Sequence, residues 1–255
     1  MATAMTFTAL ASLPEINPGD DLATLIAASL DREGLQPRPQ DVLVIAQKTV
    51  SKAEGRFLDL CSVVPSSRAM TLGAETGKDP RLVETILSES DRVLRSKPGV
   101  IVVVHRLGLV MANAGIDASN LGDASDQDTV LLLPEDPDGS AAALLGTLAA
   151  RYGVPLGIVI SDSFGRAWRR GVVNVALGSA GLPSLVDARG RLDRAGRPLR
   201  VTEIAFADAL AAGAALVMGE ADEGQPVVLV RGALWDQPPN PAEALIRPEE
   251  EDMFR

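Results

Sequence analysis

Four short apolar runs constrain this chain most: Val42–Ala46 (VLVIA), Val100–Val104 (VIVVV), Leu156–Ser161 (LGIVIS) and Pro226–Val230 (PVVLV). Each is bounded by polar, glycine or proline residues, is too short for a buried helix, and shows no apolar–polar alternation. Each therefore reads as a strand covered on both faces. Val130–Leu133 reads the same way. Between these runs the apolar residues recur at helical spacing. Asp20–Arg32 follows the turn Pro18-Gly19 and places Leu22, Leu25, Ile26 and Leu30 on one face. Further helices are predicted over Ser67–Glu75, Asp79–Ser90, Gly139–Tyr152 and Glu203–Val217. Asp79 caps the second of these, with Pro80 at its first helical position.

Two hairpins are expected. One pairs Leu109–Met111 with Val100–Val104 through Arg106–Gly108. The other pairs Leu185–Leu192 with Pro198–Thr202 through Asp193–Gly196. The tail Pro238–Arg255, rich in Pro and Glu, is expected to wrap or fray. No repeat or linker divides the chain, and strands and helices alternate irregularly. The fold predicted is mixed α/β (α+β), with intertwined subdomains whose mixed sheets are flanked by helices. Residues 1–245 are read as a single domain and 246–255 as an acidic tail.

Composition removes several functions. Asp and Glu total 34 against 24 Lys and Arg, a net charge of −10, whereas sequence-independent nucleic-acid binding needs a basic face. The same balance disfavours anionic membrane surfaces. Aromatic residues at 3% are too few for base-stacking platforms. With one cysteine, Cys61, and one histidine, His105, internal disulfides, multi-Cys zinc sites and multi-His sites are excluded. Any metal is then held mainly by oxygen, which favours Mg²⁺, Mn²⁺ or Ca²⁺. Cys61, between Leu60 and Val63-Val64, reads as a packing residue, and His105 as structural or surface. Met1–Pro14 lacks the basic start of a secretory leader, and the apolar run Ala209–Gly219 is too short to span a bilayer. A cytoplasmic location is expected.

Familiar phosphate motifs are missing. Gly73-Ala74-Glu75-Thr76-Gly77-Lys78-Asp79 is one residue short of a Walker loop, and no two of the 23 glycines lie two apart, which excludes G-x-G-x-x-G. The chemistry lies instead in polar clusters after the apolar runs, where loops converge at strand carboxyl ends. Gln47–Arg56 follows the first, Ala112–Asn120 follows Leu109–Met111, Ser161–Gly171 follows LGIVI, and Met218–Gly224 follows the last long helix. They supply Lys48, Lys52, Arg56, Arg166 and Arg169 as cations for phosphates, and Asp117, Asp162 and Glu220 as hard oxygen ligands. Taken alone, each Asp equally suits a turn or helix cap, and each Lys or Arg a solvated face. Their co-occurrence at several strand ends favours a metal–nucleotide site.

Several segments together carry a family resemblance over nearly the whole chain. They are Leu13-Pro14-Glu15-Ile16 with Pro18–Leu22, VLVIAQKTVSKAEGR, AGIDASN, LLPEDPDGSA, ISDSFGRAWRRG, VALGSAGL, the RG-x-x-D-x-x-G hairpin and MGEADEGQPVVLVRG. In this order and spacing the sequence resembles the coenzyme F(420)-0:L-glutamate ligases, the gamma-glutamyl ligases of deazaflavin coenzyme biosynthesis. The resemblance implies a homodimer that uses GTP, two Mg²⁺ or Mn²⁺ sites and K⁺. It also implies GDP-forming ligation of L-glutamate to the side-arm carboxylate of the deazaflavin through an acyl phosphate, with further gamma-linked glutamates.

It further implies GTP contacts at Leu13, Pro14, Glu15, Ile16, Gln47, Lys48, Lys52, Asn120 and the loop Met218, Gly219, Glu220, Ala221, Asp222, Glu223, Gly224 and Gln225. At the position of Gln47 the family often carries Ser or Thr. Asp117, Asp162 and Ser163 match metal ligands, and Glu220 stands where the family often has Gln. Lys52 and Asp162 are the implied catalytic residues. Arg166 and Arg169 are candidates for substrate anions, although Arg169, with Trp168, equally suits a structural role. Two rival readings stay open: a related ligase for another amino acid or deazaflavin, and a nucleotide-binding module without turnover. Retention of Asp117, Asp162 and Glu220 counts against the second.

Overall fold

The computed structural model describes residues 4–118 and 128–253. In chain order it begins with β1 (Thr6–Ala9), α1 (Leu22–Arg32), β2 (Val42–Ala46), α2 (Gln47–Ala53) and β3 (Phe57–Asp59). Next come α3 (Ser67–Thr76), α4 (Pro80–Ser88), β4 (Ser90–Lys97), β5 (Val100–His105), β6 (Val110–Ala112) and β7 (Thr129–Leu131). The chain continues with α5 (Pro137–Tyr152), β8 (Gly157–Arg166), β9 (Arg169–Ala180), β10 (Leu185–Asp187), β11 (Glu203–Ala205), α6 (Phe206–Met218) and β12 (Val227–Arg231).

The central sheet has the order β1-β12-β2-β8-β9, with β2 and β8 parallel and the other neighbours antiparallel. Its apolar strands divide their side chains between two helical layers, as the period of two requires. Leu43, Ile45, Ile158, Ile160 and Leu229 pack with α1 and α5. Val42, Val44, Val159, Val228 and Val230 pack with α6. Each such side chain, fully buried, contributes roughly 1.5–3 kcal/mol relative to exposure, so strands serving both layers have no room for polar residues.

The chain between α2 and α5 forms the second unit. There β4-β5-β6 lies against α3 and α4 through Ala69, Val83, Ile86, Ile101 and Val103. A β3–β7 ribbon adds Leu60, Val130 and Leu132. Met111 and Leu133 meet Leu177 of β9, which joins this unit to the central sheet.

Asp79 caps α4 as the sequence predicts, accepting from Arg81 N at 2.8 Å, with Pro80 at the first helical position. Asp21 caps α1 by accepting from Thr24 N at 3.1 Å, and Asp136 caps α5 by accepting from Gly139 N at 2.9 Å. The start of α5 sits hard against β9, because a Cβ on Gly178 would lie 2.2 Å from the Pro137 carbonyl oxygen. Asp138 Oδ1 accepts from Ser179 N at 2.7 Å and from Ala242 N at 2.8 Å, which pins the tail to the same point. The tail therefore wraps, and Glu249 pairs with Arg92 at 2.6 Å.

Several expectations need correction. Gln47–Ala53 is a helix rather than a strand-end loop, and Glu203–Ala205 is strand β11 rather than the start of α6. Asp162 lies inside β8, which runs on into a long hairpin with β9. β5 is covered unevenly: Ile101 and Val103 are buried against α3 and α4, whereas on the opposite face Val104 is buried but Val100 and Val102 are only half-buried. Cys61 is exposed rather than packed. His105 is fully buried and structural, accepting from Leu107 N through Nδ1 at 3.0 Å.

Candidate functional site

Parallel β2 and β8 end side by side, with Ala46 opposite Ser161. Ala46 N donates to Pro226 O at 2.8 Å and Leu10 N to Val227 O at 2.9 Å, so the loops after β1 and before β12 arrive at the same end. A cavity of about 640 Å³ opens there. Its walls include Leu13, Pro14, Glu15 and Ile16, then Gln47, Lys48 and Lys52 of α2, and then Asp117, Asp162 and Ser163. The loop Met218, Gly219, Glu220, Ala221, Asp222, Glu223, Gly224 and Gln225 completes it. Segments far apart in sequence thus face one space, as expected at the carboxyl ends of parallel strands.

The cations come from α2. Lys48 and Lys52 are four residues apart and so share a helical face. Lys48 Nζ lies 3.2 Å from Asp117 Oδ2. Lys52, almost fully buried, ion-pairs with Glu15.

Asp117 is delivered by three consecutive left-handed residues, Asn113 (φ 52), Ala114 (φ 53) and Gly115 (φ 65). Asn113 offsets its strain locally by accepting from Ile101 N at 3.1 Å. Gly115 suits this place because any other residue would be strained at φ 65, and a Cβ would also press on Met111 Cε and both Leu133 methyls. Asp117 then exchanges backbone hydrogen bonds of 2.9 and 2.8 Å with Leu131.

Asp162 faces that carboxylate. Burial first, and then the charge of Asp117, push its pKa up to about 7, while Ser163 N, Lys48 and Gln47 favour its ionised form. The residue keeps some surface open to the cavity, but the protein around it is dense enough to solvate the ionised carboxylate poorly. Beside it, Ser161 Oγ and Asn174 Oδ1 are buried without a hydrogen-bond partner. Native interiors leave few such atoms.

This arrangement fits a divalent cation. Two carboxylates held together against their mutual repulsion, in a cavity that Ser163 also lines, form a hard oxygen pair that a 2+ charge would relieve. Among the described residues no three His, Cys, Asp or Glu side chains converge, and Glu220 is exposed on its loop. Magnesium is commonly held by one or two carboxylates together with ligand phosphates, so the Asp pair suffices for that mode of binding.

Other predicted residues lie elsewhere. Arg166 and Arg169 pair across the tip of the β8–β9 hairpin, exposed and away from the cavity walls, beside Trp168 at φ 59. Arg56 donates to Leu133 O at 2.9 Å and pairs with Glu89. Asn120 falls outside the described residues. The cavity also gains Thr49, Ser161 and Asn174. Asn174 stands opposite Ser163, a placement readable only once β9 is recognised and its register known.

Fold and cavity together define an α/β protein with a charged ligand cavity at its strand ends. Residues 11–232 match the family model described as F420-0:Gamma-glutamyl ligase. The chain is 46% identical to the coenzyme F420:L-glutamate ligase of Methanopyrus kandleri over 94% of both chains. It is 45% identical to that of Methanothermobacter thermautotrophicus, covering 95% of this chain and 96% of the relative. With that of Natronomonas pharaonis it shares 44% over 97% and 93%. The chain belongs to the F420-0:gamma-glutamyl ligase family. Among its described residues, no helix is long and apolar enough to cross a membrane.

Proposed function

We propose that this protein is a GTP-dependent, GDP-forming ligase that joins L-glutamate to the side-arm carboxylate of coenzyme F420-0, and can add further gamma-linked glutamates. The observation that carries this reading is the joining of Lys48 and Lys52 to Asp117 and Asp162 in one cavity at the strand ends, in a chain whose relatives bear that name. A carboxylate does not condense with an amine in water, so it must first become an acyl donor. A side-arm oxygen attacks the gamma phosphorus of GTP, forming an acyl phosphate as GDP leaves. The glutamate amine then attacks the acyl carbon, phosphate departs with the C–O bond electrons, and the new amide nitrogen releases a proton.

Lys52 would release Glu15 to engage the transferring phosphoryl group, and Lys48 would share that charge. The loops at 13–16 and 218–225 would hold the nucleotide. Asp117 and Asp162 would hold one Mg²⁺ or Mn²⁺, with Ser163 and Glu220 serving a second. These ions supply charge neutralisation between two anionic reactants. K⁺ dependence and a homodimer complete the reading. Mass spectrometry of purified protein incubated with F420-0, L-glutamate, GTP and Mn²⁺ tests it: a glutamate adduct of F420-0 is expected, and unaltered F420-0 would count against it.

A further inference from the structure

Gln47 sits at the first position of α2, is 2% exposed, and bridges the two acidic side chains of the cavity. Its Nε2 reaches Asp117 Oδ2 at 3.5 Å, the outer limit of a hydrogen bond, and its side chain lies close enough to Asp162 to favour the ionised carboxylate. Its other end is fixed as well. Ser51, fully buried one turn further along α2, donates from Oγ to Gln47 Oε1 at 2.9 Å. The acids set the orientation of the amide: ionised carboxylates only accept, so the NH₂ group points toward them, and the Ser51 hydroxyl, able to donate or accept, donates to the remaining Oε1. A buried Gln whose acceptor is taken by Ser51 and whose donors serve two carboxylates has little left to offer a nucleotide. Its position suits a different task.

We propose that Gln47 is a positioning residue. Pinned by Ser51, it holds the Asp117 and Asp162 carboxylates at a fixed separation, neutral and donating on their inner side, with their remaining lone pairs turned to a divalent cation. This rests on the metal role proposed above for the two aspartates. Lys48 already lies 3.2 Å from Asp117 Oδ2, so a second cation at position 47 would cancel more of the charge that attracts the metal, whereas a neutral donor adds none. The reach needed is that of a Gln: two acids on different segments must be spanned from a helix start, which the shorter Ser or Thr side chain cannot do. Partners of this kind behind metal ligands typically change affinity ten- to a hundred-fold, as a rough scale, when removed.

The test titrates Mn²⁺ alone into full-length metal-free protein, following free Mn²⁺ by electron paramagnetic resonance, for wild type, Gln47→Leu and Ser51→Ala. Gln47→Leu is expected to weaken Mn²⁺ binding by roughly ten-fold or more, and Ser51→Ala by a smaller factor. In ligation assays the Mn²⁺ concentration for half-maximal rate should rise with the binding constant, while the rate at saturating Mn²⁺ falls much less. A merely structural role would lower the melting temperature without that split. Wild-type affinity in Gln47→Leu overturns the inference while leaving the metal reading intact. If Gln47→Leu does not fold, Ser51→Ala decides: weaker Mn²⁺ binding supports the bridge, and unchanged binding overturns it. Wild-type protein that binds no Mn²⁺ would overturn the metal reading itself and this inference with it.

Discussion

Replacing Asp162 with Asn should stabilise the metal-free protein while removing its activity. The Asp162 carboxyl is pushed up to about 7 from an ordinary 3.8, chiefly by burial and then by Asp117. Every ten-fold weakening of an acid corresponds to about 1.4 kcal/mol. Ionised Asp162 therefore costs the fold up to about 4 kcal/mol once the pH passes both values. Because the folded-state pKa is raised, the penalty is absent below pH 3.8, grows as the pH climbs, and is complete above about 7. Solvent entering through the cavity reduces it, so a gain of about 2–4 kcal/mol is expected for Asp162→Asn at pH 8, fading to nothing near pH 4. At roughly 2–4 °C per kcal/mol for a chain of this size, the melting temperature in EDTA should rise by about 4–16 °C. Saturating Mn²⁺ should offset most of that difference, adding about 2.7 kcal/mol to wild type at a hundred times its dissociation constant and nothing comparable to the variant. Differential scanning calorimetry at pH 4 and pH 8, with EDTA or Mn²⁺, reads all of this. An Asp162→Asn protein no more stable than wild type at pH 8 in EDTA, or a difference independent of pH, would refute the reasoning.

Lys52→Ala should lower ligation by at least about 100-fold, the scale of losing one preorganised charge on a transferring group, with near-native circular dichroism; a loss below about three-fold would remove Lys52 from the chemistry. Glu89 is held down to about 2 by His105 first, then by Arg106 and Arg56. Glu89→Gln should therefore lose up to about 3 kcal/mol in urea unfolding at pH 7, a loss that shrinks as the pH falls from 4.5 through 2. Gly115→Ala combines a left-handed φ of 65 with a 2.5 Å approach to Met111 Cε. It should cost about 1–3 kcal/mol and weaken Mn²⁺ binding by displacing Asp117, as paired melting and Mn²⁺ titrations would show.

The strands VLVIA, LGIVI and VVLV were legible because they serve two helical layers at once, so every position is apolar. β9 was not. Its first half, Arg169–Val173, is largely exposed on a hairpin arm, and it forms the sheet edge, where pairing rather than burial fixes the conformation. β4 (SDRVLRSK) is an edge strand of the same kind. α2 is short and polar, and no side chain caps it. Its helical form comes from the end of β2 and from contacts on its buried face, which no local pattern announces.

The cavity was legible through strand ends and family resemblance together, since each polar cluster follows an apolar run or a long helix. Arg166 and Arg169 show where that logic fails. A basic run after a strand reads as an anion site, yet β8 continues past Asp162 and carries both arginines to an exposed tip. The bridge made by Gln47 was hidden for another reason: it depends on two acids brought together by tertiary structure alone.

The most direct test of the central claim is the stoichiometry of GDP release against amide formation with F420-0, L-glutamate, GTP and Mn²⁺, read by coupled chromatography and mass spectrometry. The account predicts one GDP for each amide bond, no amide when any substrate is omitted, and no product in EDTA. Amide formation without GTP consumption, or full activity in EDTA, would contradict it.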